Sequence, residues 1–198
     1  MKTMVFSPGA VIPAALLGFM VFVIPAFLAA DEPSSEVITG SIVNMMDGGK
    51  GVPLTSRFTL TLNGYTSLEE LDTLADLQAT KGDEALQAAL WDVKEKGYIQ
   101  IGTTLGYPLA VVYLIPHGDQ RVIRIVTDRP IQYHEVLHSI RTLHYPFSFF
   151  EITLDRNGHG EGKFVPVAQV TLKPGGDLTV KDYAAMPFKL IQLKLAEK

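Results

Sequence analysis

Apolar residues from position 36 onward recur with two different periods, and the period decides the element. Glu36 to Met45 and Arg57 to Asn63 read as strands; in the second, Phe58, Leu60 and Leu62 alternate with Arg57, Thr59 and Thr61, as on a sheet with one wet face. The period then lengthens. Ser67-Leu68-Glu69-Glu70 places a Ser three residues before a Glu, a capping box that satisfies free amides at a helix start. Leu68, Leu71, Leu74 and Leu77 fall on one face until Gly82 closes that helix. Asp83 caps a second one, with a stripe of Ala85, Leu86, Ala89, Leu90 and Val93 that stops at Gly97. The two helices form a hairpin over 67–97, and Trp91 is read with the leucines as core packing.

Period two returns at Tyr98. Strands are predicted at Tyr98 to Gly102, Pro108 to Ile115 and Arg121 to Thr127. Phe150, Ile152 and Leu154 alternate into Asp155-Arg156-Asn157-Gly158, and the chain resumes from Lys163 to Leu172. This is a hairpin in which Asn157-Gly158 supplies the positive-φ residues. Gly175-Gly176 turns the chain into Leu178 to Lys181, and Lys189, Ile191, Leu193 and Leu195 mark a last strand. Seven or eight strands with one inserted helical hairpin predict an α+β fold, mainly an antiparallel β sandwich or a partly open barrel with helices on one side.

The first thirty residues follow another rule. Lys2 is the only charge before an uncharged run from Ala10 to Ala30, and Pro25 interrupts the apolar helix ahead of Ala26-Phe27-Leu28-Ala29-Ala30. A basic start, an apolar run and an extended end with small residues describe an export signal cut after Ala30, although Leu28 occupies a place that favours a small side chain. The competing reading is an uncleaved N-terminal anchor, since about twenty apolar residues can span a bilayer. The chain thus divides into a signal peptide or anchor at 1–30, an N-terminal strand and flexible turn at 31–56, and an α+β domain at 57–198. Disorder is expected only at Asp31 to Glu36 and in the Asp47 to Val52 turn region, where Gly48, Gly49 and Gly51 cluster. With 17 basic and 21 acidic residues and no basic tract, nucleic acid is not an expected partner. There is no cysteine, hence neither a disulfide nor a lipid-modified cysteine.

One motif suggests chemistry. His134-Glu135-Val136-Leu137-His138 is the zinc-peptidase pattern, because residues four apart on a helix share a face and two imidazoles can hold one zinc while Glu135 deprotonates its water. Tyr133, Val136, Leu137, Ile140 and Leu143 would occupy the opposite face. A third ligand would come from Glu151, His159 or Glu161, each of which also has an ordinary place on a strand or beside a turn. The competing reading is a pair of solvated surface histidines. Other candidates are weaker. Asp155-x-Asn157-x-His159 imitates a calcium loop but has Pro166 where a bidentate Glu belongs. Ser148 lacks the glycines of a nucleophile elbow, and Gly49-Lys50-Gly51 lacks the rest of a phosphate loop. Arg57, Arg121, Arg124, Arg129 and Arg141 are candidates for carboxylate pairing or anion binding.

Gly106-Tyr107-Pro108-Leu109, Thr127-Asp128-Arg129-Pro130-Ile131, Tyr145-Pro146-Phe147 and Gly158-His159-Gly160-Glu161-Gly162 together resemble a family of exported bacterial proteins of unknown function. With the Arg57-Phe58-Thr59-Leu60 strand and the helices, these blocks cover most of the chain after residue 30. The resemblance implies an export signal and a single domain, assigns no catalytic residue, and has no paired histidines at the place of His134 and His138. The expectation is therefore a periplasmic or extracellular domain without enzymatic activity and without a cofactor. It would bind a small ligand or a cell-envelope component, touching the membrane only through residues 10–30 if these stay attached. The alternative is a zinc-dependent hydrolase using Glu135 as base and His134 and His138 as ligands.

Overall fold

A computed structural model of the chain describes residues 35–43, 55–131, 145–183 and 186–196. The apolar run before residue 31, the glycine-rich stretch 44–54 and the whole of His134-Glu135-x-x-His138 lie outside the described residues. In chain order the elements are β1 (Glu36–Val43), β2 (Thr55–Leu62), α1 (Leu68–Lys81), α2 (Asp83–Asp92), β3 (Gly97–Ile101), β4 (Tyr107–His117), β5 (Gln120–Thr127), β6 (Phe147–Leu154), β7 (His159–Lys173), β8 (Asp177–Tyr183) and β9 (Phe188–Leu195). Among the described residues no helix is long and apolar enough to cross a membrane.

All strand pairings are antiparallel, and they form one continuous sheet in the order β6-β5-β4-β3-β2-β1-β9-β7-β8. That sheet closes. β6 also pairs with β7, so eight strands form a complete ring and β8 hangs from it. The sandwich expectation is therefore corrected: one sheet is rolled on itself instead of two being stacked, and the barrel is closed where a partly open one was expected. Closure pairs every edge in the ring, which removes the exposed strand edges that two open sheets would leave.

Alternation places the core. Ile38, Ile42, Phe58, Leu60, Ile99, Ile123, Ile125, Phe150, Ile152, Phe164 and Leu190 share one buried cluster in the lumen. The rings of Phe150 and Phe164 stack at 4.4 Å, and Phe188 meets Phe164 edge to face at 5.7 Å. An eight-stranded barrel is just wide enough for its own side chains, and this lumen is filled in that way. Gly160 and Gly162 sit on the same inward row of β7 as Phe164. A Cβ on either would fall on the carbonyl oxygen of Thr153 or Glu151, so only glycine lets β6 and β7 approach closely enough to roll the sheet.

β7 is shared between two neighbours. Its first part, from His159 to Phe164, pairs with β9, and its last part, from Ala168 to Lys173, pairs with β8. Pro166 lies at the change of partner. It has no N–H to give a ladder, which suits a position where a strand bends out of one pairing and into another. The β7–β8 hairpin consequently leaves the ring and folds over its outer wall. There Asp72 of α1 accepts from the Gly175 amide at 2.9 Å, and Arg124 of β5 donates to the Leu178 carbonyl at 3.0 Å.

A second buried cluster lies outside the ring. Leu71, Leu74 and Ala75 of α1 and Leu86 and Leu90 of α2 pack there on Val111, Val126, Phe147, Phe149 and Val170. The capping box forms as expected: the Glu70 amide donates to Ser67 Oγ at 3.1 Å and the Ser67 amide to Glu70 Oε2 at 2.8 Å. Three local expectations are corrected. Leu68 is largely exposed, and Ala75 takes its place on the buried stripe. Gly82, without a side-chain cap from Asp83, precedes α2, which ends at Asp92. Trp91 is 62% exposed, so it is not core; its indole N–H donates to the Asp128 carbonyl at 2.9 Å.

Candidate functional site

The two ends of the barrel decide whether the lumen can receive a ligand. At one end the inward rows of β1 and β5 terminate in Glu36 and Arg121. These strands are four apart whichever way the ring is followed, so the two side chains face each other across the full diameter. Arg121 Nη2 donates to Glu36 Oε2 at 2.8 Å, to Glu36 Oε1 at 3.1 Å and to the Tyr65 hydroxyl at 2.6 Å. Burial, and after it the Glu36 carboxylate, push the Tyr65 phenol up to about 12. The three groups brace that end shut.

At the other end one residue enters the lumen. After β5, Ile131 turns into the lumen cluster and is fully buried. Its amide donates to Ser148 Oγ at 2.6 Å, Ser148 Oγ donates to the Pro166 carbonyl at 2.7 Å, and the Ser148 amide donates to Thr127 Oγ1 at 3.0 Å. Ser148 is thus fully buried and fully engaged in holding this turn. Beside it, Asp128 keeps Oδ1 buried without a hydrogen-bond partner, and burial raises its pKa.

His134, Glu135 and His138 lie outside the described residues. The three residues read as further ligands are placed. Glu151 is on the outer face of β6 and accepts from Arg124 Nε at 2.9 Å. Glu161 and His159 stand at the start of β7, at the braced end, whereas Ile131 and Tyr145 stand at the opposite end. Among the described residues no three acidic or histidine side chains are arranged to hold a metal ion. The calcium-like sequence is a turn. Asp155 Oδ1 accepts from the amides of Asn157 and His159 at 2.8 and 2.9 Å. Gly158 alone has positive φ there, at 74°, and Asn157 does not. The loop is therefore a turn closed by one left-handed glycine instead of the two-residue form expected.

Of the predicted arginines, Arg121 pairs with Glu36, Arg124 with Glu151 and Arg129 with Asp128, while Arg141 lies outside the described residues. Arg57 lines a shallow polar hollow with Thr59, Gln100 and Thr104. A polar hollow of about 340 Å³ lies among Lys81, Asp83, Glu84, Gln87 and Gln169, and a concavity of about 300 Å³ with an apolar floor lies between β8 and the outer wall of the ring. Phe149 and Val165 form its floor, Leu178, Val180 and Tyr183 its β8 wall and Pro187 a far lip; Arg124, Glu151, Lys163, Lys181 and Asp182 supply charge. It exists because β7 changes partner at Pro166 and carries β8 out over β6. Sequence reading missed it, since a strand that leaves its ring has the same alternation as one that stays.

Comparisons with known proteins add no identity. No protein-family model, no curated protein and no solved structure matches the chain.

Proposed function

We propose that the chain is an exported, non-enzymatic binding domain that seats a small ligand in the cleft between β8 and the barrel wall. The observation that supports this most directly is the filled lumen. Among the described residues, phenylalanines stack inside the lumen, a charged brace spans one end and Ile131 packs into the other. Recognition then falls to the outside, where the β8 cleft joins an apolar floor to a few polar groups, the combination that ligand sites use. Export is proposed from the basic start and the apolar run Ala10 to Ala30, and the envelope is the compartment it implies.

The test is a solution screen. Methyl and amide spectra of the protein are recorded against small anionic, cationic and neutral amphiphiles. Saturable shifts of the Val165, Leu178 and Val180 methyls, leaving Ile123 and Ile152 in the lumen unmoved, are the expected result. Shifts concentrated on the lumen methyls, or none at the cleft with any probe, would refute the reading.

A further inference from the structure

The registers of the outer wall carry the site further. Arg124 on β5, Glu151 on β6, Lys163 on β7 and Lys189 on β9 are successive cross-strand partners, and all four point outward because their neighbours in sequence fill the lumen. The row therefore reads plus, minus, plus, plus across four strands. Its single carboxylate is committed to Arg124, at 2.9 Å from Nε. Lys163 and Lys189 stand directly opposite each other, and neither takes part in an ion pair among the described residues. Like charges in that relation repel. Lys181 of β8 adds a third ammonium at the cleft, also without an ion pair among the described residues. On the β8 side Asp182 keeps its charge but is held in place, accepting from the Tyr145 hydroxyl at 3.0 Å and from the Tyr183 amide at 2.8 Å. Arg124, Lys163 and Lys181 thus outnumber Glu151 and Asp182 in the lining, and with Lys189 opposite Lys163 the charge beside the apolar floor is net positive, on a chain whose overall charge is −4.

We infer that the ligand of this cleft is a small amphipathic anion. Its acidic head group, carboxylate or phosphate, lies against Lys163 and Lys181 of the lining, on the side where Lys189 stands opposite Lys163. Its short apolar body rests on Phe149, Val165 and Pro187. The inference rests on the cleft proposed above and adds the ligand's charge and shape. A head group desolvated on one side by the β8 wall and met by these ammoniums gains charge-assisted contacts that a neutral head lacks. The apolar body keeps inorganic anions from substituting for it.

The experiment titrates the full chain with octanoate, octanol, octylammonium and acetate, reading the Val165 and Val180 methyls. Octanoate is expected to bind at least tenfold more tightly than octanol, with acetate and octylammonium giving no saturable shift. Lys163→Glu should weaken octanoate at least tenfold, and Lys181→Glu should weaken it in the same direction. Lys194→Glu, elsewhere on β9, should leave it unchanged, which separates a local site from general charge. Octanol binding as tightly as octanoate, or equal losses in all three variants, would overturn the anionic assignment while leaving the cleft as a binding site. Absence of cleft shifts with all four probes would overturn both.

Discussion

The brace across the barrel end is the feature whose energetics can be worked most directly. Replacing Glu36 or Arg121 with Ala removes one half of a pair whose side chains are 26% and 34% exposed. Fully exposed ion pairs contribute about 0.2–1 kcal/mol. Removing one partner of a buried pair costs about 3–5 kcal/mol. Glu36 and Arg121 lie between these limits, and Arg121 donates to both carboxylate oxygens and to Tyr65. The range for hydrogen bonds to charged groups, about 1.5–3 kcal/mol, applies. Each single variant is expected to lose about 2 kcal/mol in urea unfolding at neutral pH with an unchanged m-value. The double variant should lose scarcely more than either one, giving a coupling of about 1.5 kcal/mol or more. Because the pair is partly shielded, high salt should reduce that coupling only modestly. A coupling under about 0.5 kcal/mol would show an ordinary solvated pair and refute the claim that it holds the barrel end.

Three further outcomes follow from the same geometry. The Tyr65 phenol is raised from 10 to about 12, so the folded state keeps a proton that the unfolded state releases. The stabilisation is complete below pH 10 and is lost as pH rises through about 12; in alkaline unfolding the wild type should lose about 1–2 kcal/mol more than Tyr65→Phe across that window, after allowance for partial exposure. Thr66→Val keeps the shape of a buried side chain but deprives the Val112 amide of its 3.0 Å acceptor, so a loss of about 1–3 kcal/mol and faster exchange of that amide are expected. Gly162→Ala pushes a methyl onto the Glu151 carbonyl and should cost about 3 kcal/mol or more by denaturant unfolding.

Much of the secondary structure was legible because alternation reports directly which residues face a core. Phe58, Leu60 and Leu62, or Phe150, Ile152 and Leu154, point into the lumen as their spacing requires. The Ser67 and Glu70 box was legible for a similar reason, since its two bonds span three residues and need nothing distant. What alternation does not encode is the partner. The pairing of β6 with β7 as well as β5 turns an open sheet into a ring, yet every strand reads the same in either arrangement. Glu36 and Arg121 are 85 residues apart, and only ring closure sets them on one diameter. Trp91 was misread because a large aromatic on a helical stripe usually packs inward; here its N–H reaches the Asp128 carbonyl from the surface. The cleft was hidden twice over, in the partner change at Pro166 and in the register that brings Lys163 beside Lys189.

That last juxtaposition sets a conflict between stability and recognition that one substitution exposes. Opposite charges across a strand pair contribute about 0.2–1 kcal/mol and like charges cost a similar amount, so Lys189→Glu replaces a repulsive pair with an attractive one. The change leaves the core untouched, because residue 189 is exposed and its neighbours Phe188 and Leu190 carry the packing. The variant should therefore unfold at higher urea, by about 0.5–1.5 kcal/mol, while octanoate binding weakens sharply. Adding octanoate at saturating concentration should restore the order, since a ligand that binds only the folded state stabilises in proportion to the logarithm of its concentration over its Kd. If Lys189→Glu gains no stability, the two ammoniums are too well solvated to repel. If it gains stability and still binds octanoate as the wild type does, the head group lies elsewhere, and the free charges on this wall are not there to hold it.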